Sequence, residues 1–128
     1  MHLELITLLV DEYDRALRYF VDILGFELVE DSAATTSSGD AKRWVVVRPP
    51  GAATGFLLAR AEGASQSELV GRQVAERVGF FLRVDDFDET YARLVASGTE
   101  FLGEPRKEPY GTVVVFRDLY GNRWDLLG

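Results

Sequence analysis

The stretch that decides the fold is Val10-Asp11-Glu12-Tyr13-Asp14-Arg15-Ala16-Leu17, continuing through Phe20-Val21 to Gly25-Phe26-Glu27-Leu28. The chain repeats it as Val84-Asp85-Asp86-Phe87-Asp88-Glu89-Thr90-Tyr91, then Leu94-Val95, then Gly98-Thr99-Glu100-Phe101. Val10 and Val84 are 74 residues apart, whereas Gly25 and Gly98 are 73 apart, so the second copy lacks one residue near its helix end. A repeat of this length implies two copies of one supersecondary unit, with a ligand expected in the seam or cup between them.

Working outward, Met1 to Val10 is an apolar run ended by Asp11, which predicts a strand buried on much of both faces. Asp11 suits a helix N-cap, and Glu12 and Asp14 complement the dipole in the first turn. Ala16, Leu17, Phe20, Val21, Ile23 and Leu24 recur at helical spacing, which predicts an amphipathic helix over 12–24 with Gly25 at its C′ position. Phe26 to Glu30 begins a second strand. Residues 31–41 are small and polar and predict an exposed, mobile hairpin loop. Arg43 to Arg48 and Gly55 to Ala61 are the third and fourth strands, joined through Pro49-Pro50-Gly51.

Residues 62–77 read as a polar connector, with room for one or two helical turns over Ser67 to Glu76. The plan then recurs. Val78 to Val84 is a strand, and Asp86 to Ser97 is a helix with Asp85 as its cap and Gly98 at C′. Short strands follow near Glu100 to Leu102, Thr112 to Arg117 and Arg123 to Leu127, the last two joined by Asp118-Leu119-Tyr120-Gly121-Asn122. The expectation is one α+β domain, 1–128, built of unit 1–61, connector 62–77 and unit 78–128. These are two tandem βαβββ units forming an open curved sheet. A ferredoxin-like sandwich is the alternative, and it needs fewer strands than the sequence offers.

The 128 residues suffice for one core, and 47% hydrophobic with 27% charged residues is ordinary for a soluble globular protein. No run reaches the roughly 18 apolar residues of a membrane span, and the first residues lack a signal-peptide layout. The expected location is cytoplasmic. Zero cysteines exclude disulfides, thiolate metal sites and Cys nucleophiles. A net charge of −7 argues against nucleic acid and anionic membrane as partners. No phosphate-cradling glycine loop, Ser/His/Asp set or dinucleotide-binding fingerprint is present.

Two stretches carry a family resemblance: Val10-Asp11 to Ala16, Tyr19-Phe20 and Leu24-Gly25-Phe26, and the closing Asp118-Leu119-Tyr120-Gly121-Asn122-Arg123-Trp124-Asp125-Leu126. In this order and at this separation they resemble the vicinal oxygen chelate superfamily, which includes glyoxalases, bleomycin-resistance proteins and extradiol dioxygenases. The resemblance covers essentially the whole chain. It implies an open cup and, in metal-dependent members, a divalent ion held by His, Glu or Gln, one from each of four strands. Carried over, those positions fall on Leu5, on Leu57 or Leu58, on Gly79 and on Asp125. Only Asp125 has a ligating side chain, and a lone carboxylate does not hold such an ion. The only histidine, His2, is displaced from Leu5 by three residues. The expectation is therefore no cofactor and no protein-bound metal.

Asp125, in a strand that should be largely buried, must be paired, hydrogen-bonded or shifted in pKa. It is a candidate general base or ligand contact, and a salt bridge to a neighbouring Arg is the structural alternative. Tyr110, beside Gly111 before a strand, is the second catalytic candidate. The candidate ligand-binding set is Thr7, Arg43, Trp44, Arg60, Phe81, Tyr110, Trp124 and Asp125. Arg43 or Arg60 could meet Asp125 or a ligand carboxylate. Phe81, Trp44, Phe116 and Trp124 are expected as core or cup-lining aromatics. The function implied is a glyoxalase/bleomycin-resistance-like protein binding a small organic molecule, as a homodimer because open sheets leave edges to cover. The alternative is a lyase, isomerase or dioxygenase with atypical metal ligands or metal-free acid/base chemistry.

Overall fold

In the first unit an apolar run closed by acidic residues sets both the opening strand and the helix after it. Leu5–Val10 forms β1, in which Leu8 and Val10 are buried while Thr7 is exposed. Helix α1, Tyr13–Leu17, starts after Glu12, whose carboxylate accepts the N–H groups of Asp14 and Arg15 at 3.1 and 3.2 Å. The cap is thus Glu12 rather than the expected Asp11, which instead pairs with Arg15 one turn along the chain. From Arg18 to Ile23 the chain runs as a π-helical turn, closed by the Leu24 N–H donating to the Tyr19 carbonyl five residues back at 2.9 Å. The uniform helix expected over 12–24 is therefore two kinds of helix.

The computed structural model describes residues 1–35 and 41–128, in two compact units, Met1–Val70 and Gly71–Gly128. In the first, β2 (Glu27–Thr35), β3 (Ala41–Arg48) and β4 (Gly55–Arg60) complete a sheet of order β1-β4-β3-β2, with β1 parallel to β4 and the other pairs antiparallel. β2 continues to Thr35 and β3 begins at Ala41, so residues 31–35 and 41 are strand rather than the predicted loop, paired as far as Thr35 against Ala41. The rest of that expected loop, residues 36–40, lies outside the described residues. A bulge between Leu28 and Glu30 interrupts β2. Helix α2 spans Gly63–Ser67, earlier than the expected turns over Ser67 to Glu76, and the Gln66 side chain accepts the Glu62 N–H at 2.9 Å across its start. α1 lies against β3 and β4. Leu8, Val10, Val45, Val47, Phe56 and Leu58 fill the core beneath it, leaving the alternate residues on a second, helix-free face.

The second unit follows the same plan. β5 (Val78–Arg83) precedes helix α3 (Phe87–Ala96), which is regular and capped by Asp86, one residue past the expected Asp85, accepting the Glu89 N–H at 3.0 Å. β6 (Glu100–Phe101), β7 (Arg106–Glu108), β8 (Gly111–Arg117) and β9 (Arg123–Leu127) complete a sheet of order β5-β9-β8-β6, with β7 also on β8 and β5 parallel to β9. Strand β7 has no counterpart in the sequence reading, because Pro105, Pro109 and three charged residues hide any apolar alternation. The first copy holds its extra residue in the π-helical turn, which absorbs an insertion without rotating the flanking apolar residues off the core. Gly25 and Gly98 follow the two helices at φ 87° and 83°, the left-handed conformation that ends both.

Among the described residues no helix is long and apolar enough to cross a membrane.

Candidate functional site

Strand alternation in the second unit sorts the predicted residues. In β9, Trp124 and Leu126 point into the core, and Asp125 between them points to the helix-free face. Asp125 pairs across the sheet with Phe81 of β5 on one side and Val115 of β8 on the other. Phe81 is 65% exposed, so an uncovered aromatic ring neighbours a carboxylate. The Oδ1 atom of Asp125 is buried and has no hydrogen-bond partner among the described residues. Burial pushes the Asp125 carboxyl above the ordinary carboxylate value, and the positive charge of Arg106 pulls partly the other way.

Arg106, on β7 opposite Val113, donates through Nε to Glu108 Oε1 at 2.9 Å. That bond, with smaller contributions from Tyr110, raises the Arg106 pKa. Tyr110, in the turn between β7 and β8, is 55% exposed. Arg106 thus interacts with both catalytic candidates, Asp125 and Tyr110. The sequence analysis did not single out Arg106, which lies between Pro105 and Pro109.

Trp124 lies elsewhere. It is buried, and its Nε1–H donates to Asp118 Oδ2 at 2.9 Å. Asp118 also accepts the N–H groups of Tyr120 and Asn122 at 2.9 and 3.0 Å and the Asn122 Nδ2–H at 2.9 Å. Burial raises the Asp118 pKa against the pull of those four donors. The closing Asp118 to Asn122 motif is therefore the buried clamp of the β8–β9 hairpin. Trp124 continues a row of rings across the core: Phe80 at 4.7 Å, Phe116 at 5.8 Å, and Phe101 at 6.4 Å from Phe116. The four aromatics expected as core or lining thus divide: Phe116 and Trp124 are core, while Phe81 and Trp44 are exposed.

In the first unit, the helix-free face carries Leu5, Thr7 and Leu57, with Thr7 opposite Leu57 and Leu57 opposite Val46. Trp44, two residues before Val46, shares that face and is 41% exposed. Arg43 and Arg60 are on the other face, with their guanidinium carbons 5.1 and 5.2 Å from the Tyr13 ring centre of α1. Arg43 grips Asp31 bidentately, Nε to Oδ1 at 3.0 Å and Nη2 to Oδ2 at 2.6 Å, and donates from Nη1 to Asp14 at 2.9 Å. These bonds hold the Asp31 carboxyl below its ordinary value and push the Arg43 pKa up. Arg48 was missed by sequence reasoning. It shares β3 with Arg43, yet its Nε is buried with no hydrogen-bond partner among the described residues.

The family model of the Glyoxalase/Bleomycin resistance protein/Dioxygenase superfamily matches residues 2–126. The chain belongs to that superfamily. An uncharacterized protein of Shewanella frigidimarina (strain NCIMB 400) is 46% identical over 123 residues, 95% of this chain and 89% of that protein. Among solved structures, TnmS3, an antibiotic-binding protein from Streptomyces sp. CB03234, is 31% identical with TM-score 0.77, covering 99% of this chain and 94% of the other. A glyoxalase/bleomycin resistance protein of the same organism is 29% identical with TM-score 0.75, covering 99% and 100%. The chain has the superfamily's α+β fold with open sheets.

The superfamily's divalent metal can be tested against the residues present. Leu5 and Leu57 share the helix-free face of the first sheet and carry no donor atom, while Leu58 is in the core. At Gly79 a side chain would have no room, because a Val74 methyl lies 2.6 Å from where a Cβ would stand. Among the described residues no three His, Cys, Asp or Glu side chains form a metal-holding group. These residues do not fit the four-ligand site.

Proposed function

We propose that this superfamily member binds a small organic molecule bearing an aromatic or conjugated face and a hydrogen-bond donor, and that it does so without a metal ion or other cofactor. The observation that carries the reading is the Asp125 Oδ1, buried without a donor among the described residues, beside the exposed ring of Phe81. A buried acceptor left unpaired costs about 1–3 kcal/mol, which a ligand O–H or N–H relieves. The ring offers stacking area beside it. Tyr110 supplies a second ring and a hydroxyl, and Arg106 fixes the charge between them. Thr7 and Trp44 are proposed as contacts on the first unit's helix-free face. Arg43, Arg60 and Trp124, whose partners are protein groups, serve as the frame. The antibiotic-binding activity of TnmS3 supports a sequestering role over catalysis. We further propose a cytoplasmic homodimer with no nucleic-acid or membrane partner.

Thermal melting of the purified protein with aromatic and antibiotic ligands, beside metal analysis, tests this reading. A ligand at about a hundred times its Kd adds about 2.7 kcal/mol, roughly a 10 °C rise in Tm. The rise should be smaller in Asp125→Asn. Tightly held stoichiometric Ni, Zn, Mn or Fe would contradict the metal-free reading and favour an enzyme.

A further inference from the structure

We propose that Arg48 is the anchor for a ligand's carboxylate, or a similar anionic oxygen group, on the helix-free face of the first unit. Among the described residues its buried Nε–H has no acceptor, and no carboxylate lies within 4.0 Å of its guanidinium. Glu27 is the cross-strand partner of Arg48 on β2, where an ion pair would ordinarily form, yet Glu27 is exposed and unengaged with it. Arg43, five residues earlier on the same strand, shows the contrast, with three hydrogen bonds to two carboxylates. An uncompensated buried N–H of a charged group is uncommon, and a ligand oxygen is one way to complete it. The guanidinium fork matches a carboxylate through two parallel N–H···O bonds.

The surroundings suit an organic anion. Beside Arg48 on β4 stands Gly55, where an added Cβ would be 3.4 Å from Arg48 Cβ, 3.5 Å from Leu5 Cδ2 and 2.8 Å from the Val47 carbonyl oxygen. Lacking that carbon, Gly55 leaves the Arg48 stem and the Leu5 side chain room to flank bare backbone. Leu5, Leu57 and Thr7 extend the same face as an apolar floor with one hydroxyl. A flat apolar body with one carboxylate therefore fits better than an inorganic anion. The inference rests on the proposed small-molecule binding only for the size of the occupant.

The test compares 1-naphthoate with its neutral analogue 1-naphthamide by isothermal titration. The wild-type protein should bind 1-naphthoate about tenfold more tightly than the amide, the worth of hydrogen bonds to a charged group. Arg48→Gln should erase that preference, and Arg48→Lys, which keeps the charge without the fork, should retain part of it. Circular-dichroism melts establish that each variant folds, and the Lys variant carries the test if the Gln variant does not. Equal affinity for the two probes, no wild-type binding of 1-naphthoate, or an undiminished preference in Arg48→Gln would overturn the proposal. Equal binding of both probes would remove the anion anchor while leaving the small-molecule function standing.

Discussion

Asp125 differs from Asp118, seven residues earlier, in what surrounds its oxygens. Asp118 receives four donors, whereas Oδ1 of Asp125 receives none among the described residues. Folding raises the Asp125 pKa above its ordinary 3.8, so the folded state binds that proton more tightly than the unfolded chain does. The Asp125 contribution to stability is therefore greatest below pH 3.8 and falls as pH rises through that value to the raised one. Asp125→Asn should accordingly melt above the wild type at pH 8, by a margin that closes toward pH 3. Thermal melts across that range check the sign. Asp118→Ala strands an indole N–H, an amide and two backbone N–H groups, and should cost about 3 kcal/mol or more in urea unfolding. Phe81→Ala removes an exposed ring, so its Tm should stay near the wild-type value while affinity for an aromatic ligand drops roughly tenfold. Asp125 was legible in the sequence because a buried strand surrounds it. Arg48 and Arg106 were not, since a lone charge at a strand end looks solvated until its neighbours are placed in space.

At the scale of elements, most of each unit could be read from periodicity, and the misses share a cause. Acids stand side by side at both helix starts; the caps were expected at Asp11 and Asp85, and the next acid along, Glu12 and Asp86, meets the free N–H groups instead. Strand β7 was invisible because it is held by pairing with β8, not by any apolar alternation of its own. The π-helical turn was present only as an arithmetic slip between repeats. If it holds the first copy's extra residue, deleting the exposed Asp22 should convert Arg18–Ile23 to regular α-helix and preserve the fold. Deleting the exposed Ala92 from regular α3 should instead rotate Leu94 away from the core and unfold the second unit. Circular-dichroism melts of the two deletions distinguish these outcomes.

For the whole molecule, the two units share one plan, as the repeat implied; each pairs its first strand in parallel with its last and places a helix on one face. The superfamily plan persists although three of its four metal positions carry no donor. For the proposed homodimer the expected contact is edge strand β2, with Leu28 and Val29 exposed at its bulge. Light scattering behind size exclusion should give twice the 14.3 kDa of one chain. The central claim, that a metal-free face around Asp125 and Phe81 receives a small aromatic ligand, is tested most directly by titrating the ¹⁵N-labelled protein with 1-naphthol. The largest amide shifts should fall on Phe81, Val115, Asp125 and Tyr110. Shifts centred elsewhere, or none at millimolar ligand, would contradict it.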